Sequence, residues 1–507
     1  MTVTSAELTE LAQRSGRTVL DAGRGQPDWI ATRPRDALFA LGRFAVSDAK
    51  HHSPSAQWGV TPPARGIADR LRHAISSDTS PGASFLRASI DLVADDFGID
   101  PDNWIHEISC GVLGDGYPDP NRMLRHVERV VERYFTEVMG VKDAEPGTFE
   151  LFATEGGAAA MAYVFRSLQE NRVIEPGGKV AISTPVFTPY LQIPTLEDFG
   201  FEVVALHAAE GGAARSTDHL LEHLSDPAIS VFCVINPGNP DARTIPPDDL
   251  HRLEELVRGD RPDLLIVADS VYAAFVDGFR GLVATIPRNV ICVHSFSKAF
   301  GATGLRLGFV AMHRDHRIDQ LWSIQDESTA ASLAARYSTL GPSERPPSFM
   351  SRLVADSREV ALHNIAGLAT PDQVQMALFA LSYLMPHGHD GIAAIHDELT
   401  HRERALFDPL GIDPPTGTGS AYYALVDLRA VATSRLGEPA GDRLVGSIDP
   451  GDILRRVAAE HGVVVLPGAI FGADPWEARV SLASLPVEAI GQIGRAIVDV
   501  VDTFAHR

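Results

Sequence analysis

Short apolar runs alternate with helical stretches through the middle of the chain. Seven runs between residues 148 and 313 have the length and the Val, Ile, Leu and Phe content of buried β-strands. In chain order they are TFELFAT, VAISTPVFTPY, FEVVALH, ISVFCVINPGNP, LLIVADSVY, NVICVHSFSK and LGFVAMH. Helical stretches such as residues 247–258 separate several of them. Because continuous apolar runs are typical of strands covered on both faces, the pattern predicts an α/β fold with a mostly parallel sheet.

The two ends of the chain carry other patterns. We expect helices at 5–20, 37–46, through most of 67–97, and at 122–139, with a polar irregular segment at 50–66. Residues 315–385 are long-helical in pattern. Further on, the pattern predicts a strand in YYALVDL, a long acidic and glycine-containing loop, a helix at 452–461, strands in GVVVLP and ARVSLASL, and a final helix at 487–504. We therefore expect an N-terminal arm with helices and part of a small domain in 1–120, a large domain in 121–385, and an α+β small domain in 386–507.

Composition and charge narrow the classes of function. The 507 residues carry 66 acidic and 44 basic side chains, a formal net charge of −22. This balance argues against a nucleic-acid or anionic-membrane partner, which would require clustered cations. Cys110, Cys233 and Cys292 are widely spaced, so neither a disulfide framework nor a metal site is expected. With no apolar signal segment and no long membrane-spanning run, we expect a cytoplasmic protein.

Polar residues follow four of the predicted strands. Asn239 lies in the loop NPGNP, Asp269 and Tyr272 in ADSVY, and Lys298 in SFSK, while two glycines precede a strong helix after TFELFAT. Carboxyl ends of parallel strands meet at one edge of a sheet, so these groups should form one site. A lysine there, with hydroxyls and an arginine nearby, suits an anionic carbonyl ligand, and we expect pyridoxal 5'-phosphate (PLP).

The chemistry of PLP suggests a role for each group. Lys298 would form the Schiff base, Asp269 would hold the pyridine nitrogen protonated, and Asn239 and Tyr272 would bind the ring hydroxylate. Phe187 could stack on the ring, although a core position is the more frequent fate of such a residue. The phosphate would be held by the backbone at Gly156 and Gly157 with Ser295, Ser297 and Arg306.

These motifs together resemble the fold-type-I, PLP-dependent class I/II aminotransferases. The resemblance rests on NPGNP, D-x-x-Y, S-x-S-K and the arginine eight residues after the lysine, and it spans roughly residues 105–310. It implies a large domain with a mostly parallel seven-stranded sheet. It also implies that Arg479, in ARVSLASL, pairs with the substrate α-carboxylate, and that Tyr117 reaches the phosphate of a neighbouring subunit.

A narrower resemblance covers nearly the whole chain. GRGQPDWIATRPRDALFALGRF, GYPDPNRML, LFATEGGAAAM and FSKAFGATGLRLG are similar to the bacterial aspartate 4-decarboxylases. Enzymes of that family also carry aspartate aminotransferase activity and form homodimers that associate further. The resemblance implies conversion of L-aspartate to alanine and CO2, with transamination as a second outcome, and a substrate-binding role for Asn239 and Arg24, the latter at the distal carboxylate.

Several positions depart from the decarboxylase pattern. Ala158 stands where Thr is usual, Ala299 replaces a tyrosine, Leu305 replaces a tryptophan, and Ala469 and Ile470 replace Lys-Gly. The loss of bulky groups and of a cation suggests a roomier pocket, and an alternative is an enzyme acting on a bulkier amino acid such as S-adenosylmethionine by γ-elimination and C–C bond formation. An alternative of another class is a PLP-sensing regulator, which would need a basic winged helix that the acidic N-terminal region does not offer.

Overall fold

A computed structural model describes residues 3–55, 57–207, 217–322, 325–340, 346–358 and 367–504. Residues 359–366, part of the predicted long-helical region, lie outside the described residues. The strands are β1 Leu20–Asp21, β2 Phe149–Thr154, β3 Lys179–Thr184, β4 Glu202–His207, β5 Ile229–Ile235, β6 Leu265–Asp269, β7 Val290–Ser295, β8 Gly308–His313, β9 Tyr423–Asp427, β10 Val463–Val464, β11 Leu466–Pro467 and β12 Glu477–Ser481.

Helices occupy most of the remaining described chain. They are α1 Ser5–Arg14, α2 Thr32–His51, α3 Ile67–Ala74, α4 Pro81–Phe97, α5 Pro101–Leu113, α6 Arg125–Val138, α7 Gly157–Glu170, α8 Pro189–Gln192, α9 Thr217–Leu224, α10 Pro247–Arg258, α11 Leu282–Thr285, α12 Arg317–Leu321, α13 Glu327–Arg336, α14 Phe349–Ser357, α15 Thr370–Leu384, α16 Asp390–Leu410, α17 Leu428–Leu436, α18 Glu438–Ser447, α19 Pro450–His461 and α20 Val487–Phe504.

A seven-stranded sheet forms the centre of the fold. Its strand order is β2-β8-β7-β6-β5-β3-β4, and β8 alone runs antiparallel to its two neighbours. This confirms the predicted α/β fold with a mostly parallel seven-stranded sheet. The carboxyl ends of β5, β6 and β7 lie side by side, so the residues that follow these strands meet at one edge.

Both faces of the sheet are buried, as the continuous apolar runs predict. Val267 and Val293 pack on the face covered by α7 and α14, in one hydrophobic cluster with Phe165. Their strand neighbours Ala268 and Cys292 point to the other face and join a cluster that includes α6 and α15. Side chains alternate along a strand, so apolar residues at successive positions cover both faces and fix the sheet inside the fold.

The chain termini meet in a second, smaller unit. Strands β11, β12 and β9 form an antiparallel sheet in that order, and β1 of the N-terminal arm pairs in parallel with β10. The arm therefore joins the C-terminal residues, in agreement with a small domain built from both ends. The expected boundaries after residues 120 and 385 remain a proposal.

Some predicted elements were wrong in extent or type. The expected long loop after YYALVDL contains α17 and α18, because Asp427 caps the first helix by accepting hydrogen bonds from the Arg429 and Ala430 amides. The run VAISTPVFTPY is a strand only to Thr184, and Tyr190 lies on α8. The segment 67–97, expected to be largely helical, forms the two helices α3 and α4, since Ser80 and Pro81 begin a new helix.

The remaining differences concern helix lengths. The first helix ends at Arg14, the helix expected at 37–46 extends over Thr32–His51, and the one expected at 122–139 begins at Arg125. The long-helical region after residue 315 is divided among α12, α13, α14 and α15 within the described chain. No helix in the described parts of the chain is long and apolar enough to cross a membrane.

Candidate active site

Lys298 lies in the turn that follows β7, at the carboxyl edge of the central sheet. Its Nζ donates a hydrogen bond to the Gly25 carbonyl at 2.6 Å and lies 5.5 Å from the centre of the Tyr422 ring. Trp29 Nε1 donates to the Lys298 carbonyl at 3.0 Å. The N-terminal arm therefore lies directly against the lysine loop and covers part of it.

Asp269 is the last residue of β6, next to the strand that leads to Lys298. Its Oδ1 accepts a hydrogen bond from the Val271 amide at 3.1 Å, and its Oδ2 accepts one from the Tyr190 hydroxyl at 3.1 Å. Burial raises the pKa of Asp269 to about 6, against the opposing effects of these two hydrogen bonds and of Lys298. A buried carboxyl with this pKa changes its charge readily when a cation binds beside it.

Asn239 and Tyr272 lie together with Arg479 in a buried polar cluster. Arg479 Nη1 donates to Asn239 Oδ1 at 2.9 Å, and Asn239 Nδ2 donates to the Tyr272 hydroxyl at 3.5 Å. Arg479 comes from β12 of the small sheet, whereas Asn239 and Tyr272 follow β5 and β6. The cluster therefore joins the small sheet to the carboxyl edge of the large one.

The guanidinium of Arg479 lies between two aromatic rings. Its Cζ is 4.4 Å from the centre of the Tyr423 ring and 4.4 Å from the centre of the Phe471 ring. Its Nη2 donates to the Gly23 carbonyl at 2.6 Å, while its buried Nε has no hydrogen-bond partner in the described chain. An arginine held flat in an apolar slot, with a buried donor unsatisfied, is well suited to bind a carboxylate.

Gly156 and Gly157 lie where β2 passes into α7, whose first residue is Gly157. Gly156 has φ +90°, and a Cβ there would lie 2.6 Å from Arg306 Nη2, so Arg306 rests directly against the start of the helix. Ala158 is exposed in the first turn. Free amides at a helix start beside a guanidinium form an anion-binding arrangement.

Ser295 and Ser297 lie on the turn at the end of β7. Both are buried, and the Ser295 hydroxyl lies 2.8 Å from the Ser297 hydroxyl and 2.9 Å from the Leu307 carbonyl. Leu307 directly follows Arg306 in the chain. The serine pair therefore fixes the lysine turn against the segment that carries Arg306.

Five predicted site residues are exposed, of which Ala158 and Arg306 lie beside the start of α7 and three lie elsewhere. Tyr117, in the loop after α5, is 92% exposed, and Phe187 is 37% exposed. The Arg24 side chain is mostly exposed and lies 3.4 Å from Asp21 Oδ2. A role for Tyr117 at the phosphate would require a second subunit, and the roles of all the predicted site residues remain proposals.

Two neighbouring tyrosines were not predicted as site residues. Tyr422 donates to the Gly25 carbonyl at 2.9 Å, and the hydroxyls of Tyr423 and Tyr272 are 3.2 Å apart. The sequence showed them only as the start of a strand, in YYALVDL. The sequence offered one signal for Tyr422 and Tyr423, namely two adjacent polar aromatic residues at the start of a strand. Tyr190, the partner of Asp269, was likewise assigned to a strand.

Comparison with known proteins identifies the family. The sequence profile of the family "Aminotransferase class I and II" matches residues 150–497. The chain is 41% identical over 501 residues to a protein of Pseudomonas sp named "Bifunctional aspartate aminotransferase and L-aspartate beta-decarboxylase", with 98% of this chain and 94% of the relative covered.

Solved structures share the fold at low sequence identity. A Thermus thermophilus aspartate aminotransferase double mutant matches with a TM-score of 0.61 and 16% identity, covering 99% of this chain and 97% of that one. N-Succinyldiaminopimelate aminotransferase from Mycobacterium tuberculosis matches with a TM-score of 0.61 and 18% identity, covering 99% of this chain and 100% of that one. The profile match and the full-length similarity show that this chain is an enzyme that belongs to the class I and II aminotransferase family.

Proposed function

We propose that this enzyme converts L-aspartate to alanine and CO2 and also transaminates it. Enzymes of this family use pyridoxal 5'-phosphate as their cofactor. The proposed substrate follows from the 41% identity over nearly the full length to the bifunctional Pseudomonas protein. The same similarity favours aspartate over the alternative of a bulkier amino acid such as S-adenosylmethionine.

The groups at the carboxyl edge of the sheet fit the cofactor. The buried Asp269 carboxylate can pair with a protonated pyridine nitrogen, and Asn239 and Tyr272 supply an amide and a hydroxyl for the ring hydroxylate. Arg306 lies against the start of α7, where a Cβ on Gly156 would occupy the space next to its guanidinium. A phosphate would be held there by Arg306, the first amides of α7, and Ser295 and Ser297.

When bound, PLP supplies a carbonyl carbon that captures amines and a ring that accepts electrons from the substrate. Lys298 Nζ would hold the cofactor before the substrate arrives and would then move the proton at the substrate Cα. Asp269 would keep its negative charge opposite the pyridine nitrogen, because a cation beside it offsets the cost of burying that charge. Phe187 would cover one face of the ring.

The buried Arg479, whose Nε lacks a partner among the described residues, is the structural observation that supports an α-amino acid as substrate. Its guanidinium is fixed by two rings and by Asn239, so it would orient the α-carboxylate and with it the Cα–H bond. Arg24, exposed on the arm next to the Gly25 carbonyl that holds Lys298, would bind the distal carboxylate. Loss of that carboxylate as CO2 would leave alanine after protonation of Cβ and return of a proton to Cα.

We further propose a homodimer, or a larger assembly of homodimers, with shared active sites. The 92% exposure of Tyr117 supports this, because an aromatic residue so placed is suited to contact a second subunit. The expected location in the cytoplasm stays a prediction from the sequence.

The test is a substrate assay with the PLP-loaded protein. We expect L-aspartate to give alanine and CO2 in equal amounts and, when a 2-oxo acid is present to accept the amino group, oxaloacetate as a minor product. Lys298→Ala should abolish both reactions. D-Aspartate, L-glutamate and S-adenosylmethionine serve as comparison substrates. Turnover of one of these without any product from L-aspartate would contradict the proposal.

A further inference from the structure

Tyr423 is a buried tyrosine whose hydroxyl the proposed reaction leaves without a role. It is the first residue of β9, and its register partner on β12 is Ser481, two residues from Arg479. The Tyr423 ring lies 4.4 Å from Arg479 Cζ, and its hydroxyl lies 3.2 Å from the Tyr272 hydroxyl. A Cβ on Gly25 would collide with Tyr423 Oη and lie 3.1 Å from Lys298 Nζ, so this phenol and the lysine contact the same point of the arm.

The contacts of Tyr423 complete a closed ring of four residues, each in contact with the next. Arg479 donates to Asn239 at 2.9 Å, Asn239 donates to Tyr272 at 3.5 Å, and Tyr272 bonds to Tyr423, whose ring contacts Arg479. The Tyr272 hydroxyl is therefore linked to the arginine by two routes. One route passes through Asn239 and the other through Tyr423.

Charge distinguishes Tyr423 from the two tyrosines beside it. Burial raises its pKa, but the cations Lys298 and Arg479 and the hydrogen bond from Tyr272 outweigh burial, and the pKa is lowered. Burial raises the pKa of Tyr272 and of Tyr422 well above the usual value. The cations Lys298 and Arg479 therefore make the Tyr423 hydroxyl a better hydrogen-bond donor than burial alone would leave it.

A hydroxyl has one proton, so the Tyr272 hydroxyl can donate only one hydrogen bond. When cofactor is present, this fixes which of Tyr272 and Tyr423 donates to the other. If Tyr272 donates to the ring hydroxylate of the cofactor, it cannot also donate to Tyr423. The Tyr423 hydroxyl must then donate to Tyr272 for the 3.2 Å bond to persist. Two hydrogen bonds in series polarise each other, so the second strengthens the first.

We propose that Tyr423 is a positioning residue that donates to Tyr272 and strengthens the hydrogen bond of Tyr272 to the cofactor ring hydroxylate. This inference rests on the proposed cofactor function. The property that changes is the pKa of the nitrogen that joins Lys298 to the cofactor. A better-stabilised hydroxylate binds the proton on this nitrogen less tightly, so the proton leaves at a lower pH.

The test follows the visible absorbance of the PLP-loaded protein as a function of pH, without substrate. We expect Tyr423→Phe to raise the midpoint of the spectral transition by about 0.1 to 0.7 pH unit, the size expected from cooperativity between two hydrogen bonds. Tyr272→Phe should raise it further. Because Tyr423 acts through Tyr272, adding Tyr423→Phe to Tyr272→Phe should cause no additional shift.

Tyr337→Phe is the matched control, since it removes a buried hydroxyl from a tyrosine outside the site. The Tyr337 hydroxyl donates to Asp356 Oδ2 at 2.8 Å. An equal shift in Tyr337→Phe, or additive shifts in the double variant, would overturn the inference. If Tyr423→Phe fails to fold, 3-fluorotyrosine at position 423 should lower the midpoint, because a more acidic phenol is a stronger donor; an unchanged or raised midpoint would overturn it.

Two failures are distinguishable. A wild-type protein that binds no PLP, measured by equilibrium dialysis, would overturn the proposed function and this inference together. A wild type that binds PLP and titrates, with Tyr423→Phe titrating at the same pH, would overturn this inference alone.

Discussion

Arg479 should determine the affinity for the substrate carboxylate. Lysine at this position keeps the charge but loses the planar fork and its stacking between Tyr423 and Phe471. We expect Arg479→Lys to raise the KM for L-aspartate about 10- to 100-fold, the value of one charge-assisted hydrogen bond. Arg435→Lys is the control, since Arg435 pairs with Asp502 on the surface at 2.6 Å. A KM unchanged from wild type would remove Arg479 from the carboxylate site.

Asp269 should make the cofactor-free protein less stable as the pH rises. Its pKa is raised from 3.8 to about 6, so the folded chain holds this proton more tightly than the unfolded chain. The stabilising contribution is therefore full below about pH 4 and is lost as the pH rises through about 6. Asparagine at position 269 carries no charge at any of these pH values, so its contribution to stability does not change with pH. We expect Asp269→Asn to gain, relative to wild type, up to about 3 kcal/mol between pH 4 and pH 8.

Urea unfolding of both cofactor-free proteins at a series of pH values across this range measures the difference. Asp95→Asn, at an exposed position on α4, supplies the control for amide substitution as such. If Asp269→Asn changes the free energy of unfolding equally at pH 4 and at pH 8, burial does not hold the Asp269 carboxyl in its protonated form.

Residues tied to strand ends were predictable from the sequence, and residues tied to tertiary contacts were not. Lys298, Asp269, Tyr272 and Asn239 follow apolar runs, and the edge of a parallel sheet brings such positions together. Tyr423 enters the cluster only because β9 pairs with β12 in the small sheet. No local pattern fixes that pairing, which joins segments about fifty residues apart.

At the scale of elements, the turn from β2 into α7 should control cofactor affinity. Gly156 has φ +90°, and a Cβ would lie 2.6 Å from Arg306 Nη2. Gly156→Ala therefore displaces the arginine from the helix start, and we expect the Kd for PLP to rise about 10- to 100-fold. Equilibrium dialysis measures this affinity.

Gly147→Ala is the matched control for the backbone. Gly147 has φ +79°, and a Cβ added there would have no atom of the described chain within 4 Å, so alanine meets only the left-handed backbone strain. Both variants should lose about 1 to 2 kcal/mol of stability. Equal PLP affinities in the two variants would show that contact with Arg306 does not matter.

The elements of the large sheet were also the most predictable ones. Seven apolar runs gave all seven strands, because burial on both faces leaves an unbroken signal. The segment 428–449 was predicted to be a loop, although it contains α17 and α18. Its polar and glycine-containing composition hides short helices whose stability comes from a cap at Asp427 and from packing on the rest of the small unit.

At the scale of the whole molecule, Tyr117 should serve the active site of a second subunit. Its loop is exposed in the single chain, whereas Lys298 is half-buried in the turn after β7. We expect Tyr117→Ala to weaken PLP binding and Lys298→Ala to abolish activity, each in its own homodimer. In a mixed dimer, one site would combine Lys298 of the first chain with Tyr117 of the second and would be intact.

Co-expression of the two variants tests this arrangement. Random pairing gives half mixed dimers, each with one intact site, so activity at limiting PLP should reach about one quarter of wild type. Co-expression of Lys298→Ala with a Tyr117→Ala/Lys298→Ala double variant is the control, because neither chain then supplies the lysine. Gel filtration checks that all the proteins are dimers or larger. If the mixture never exceeds the sum of the separate variants, Tyr117 acts within its own chain or away from the site, since complementation requires the two residues to come from different subunits.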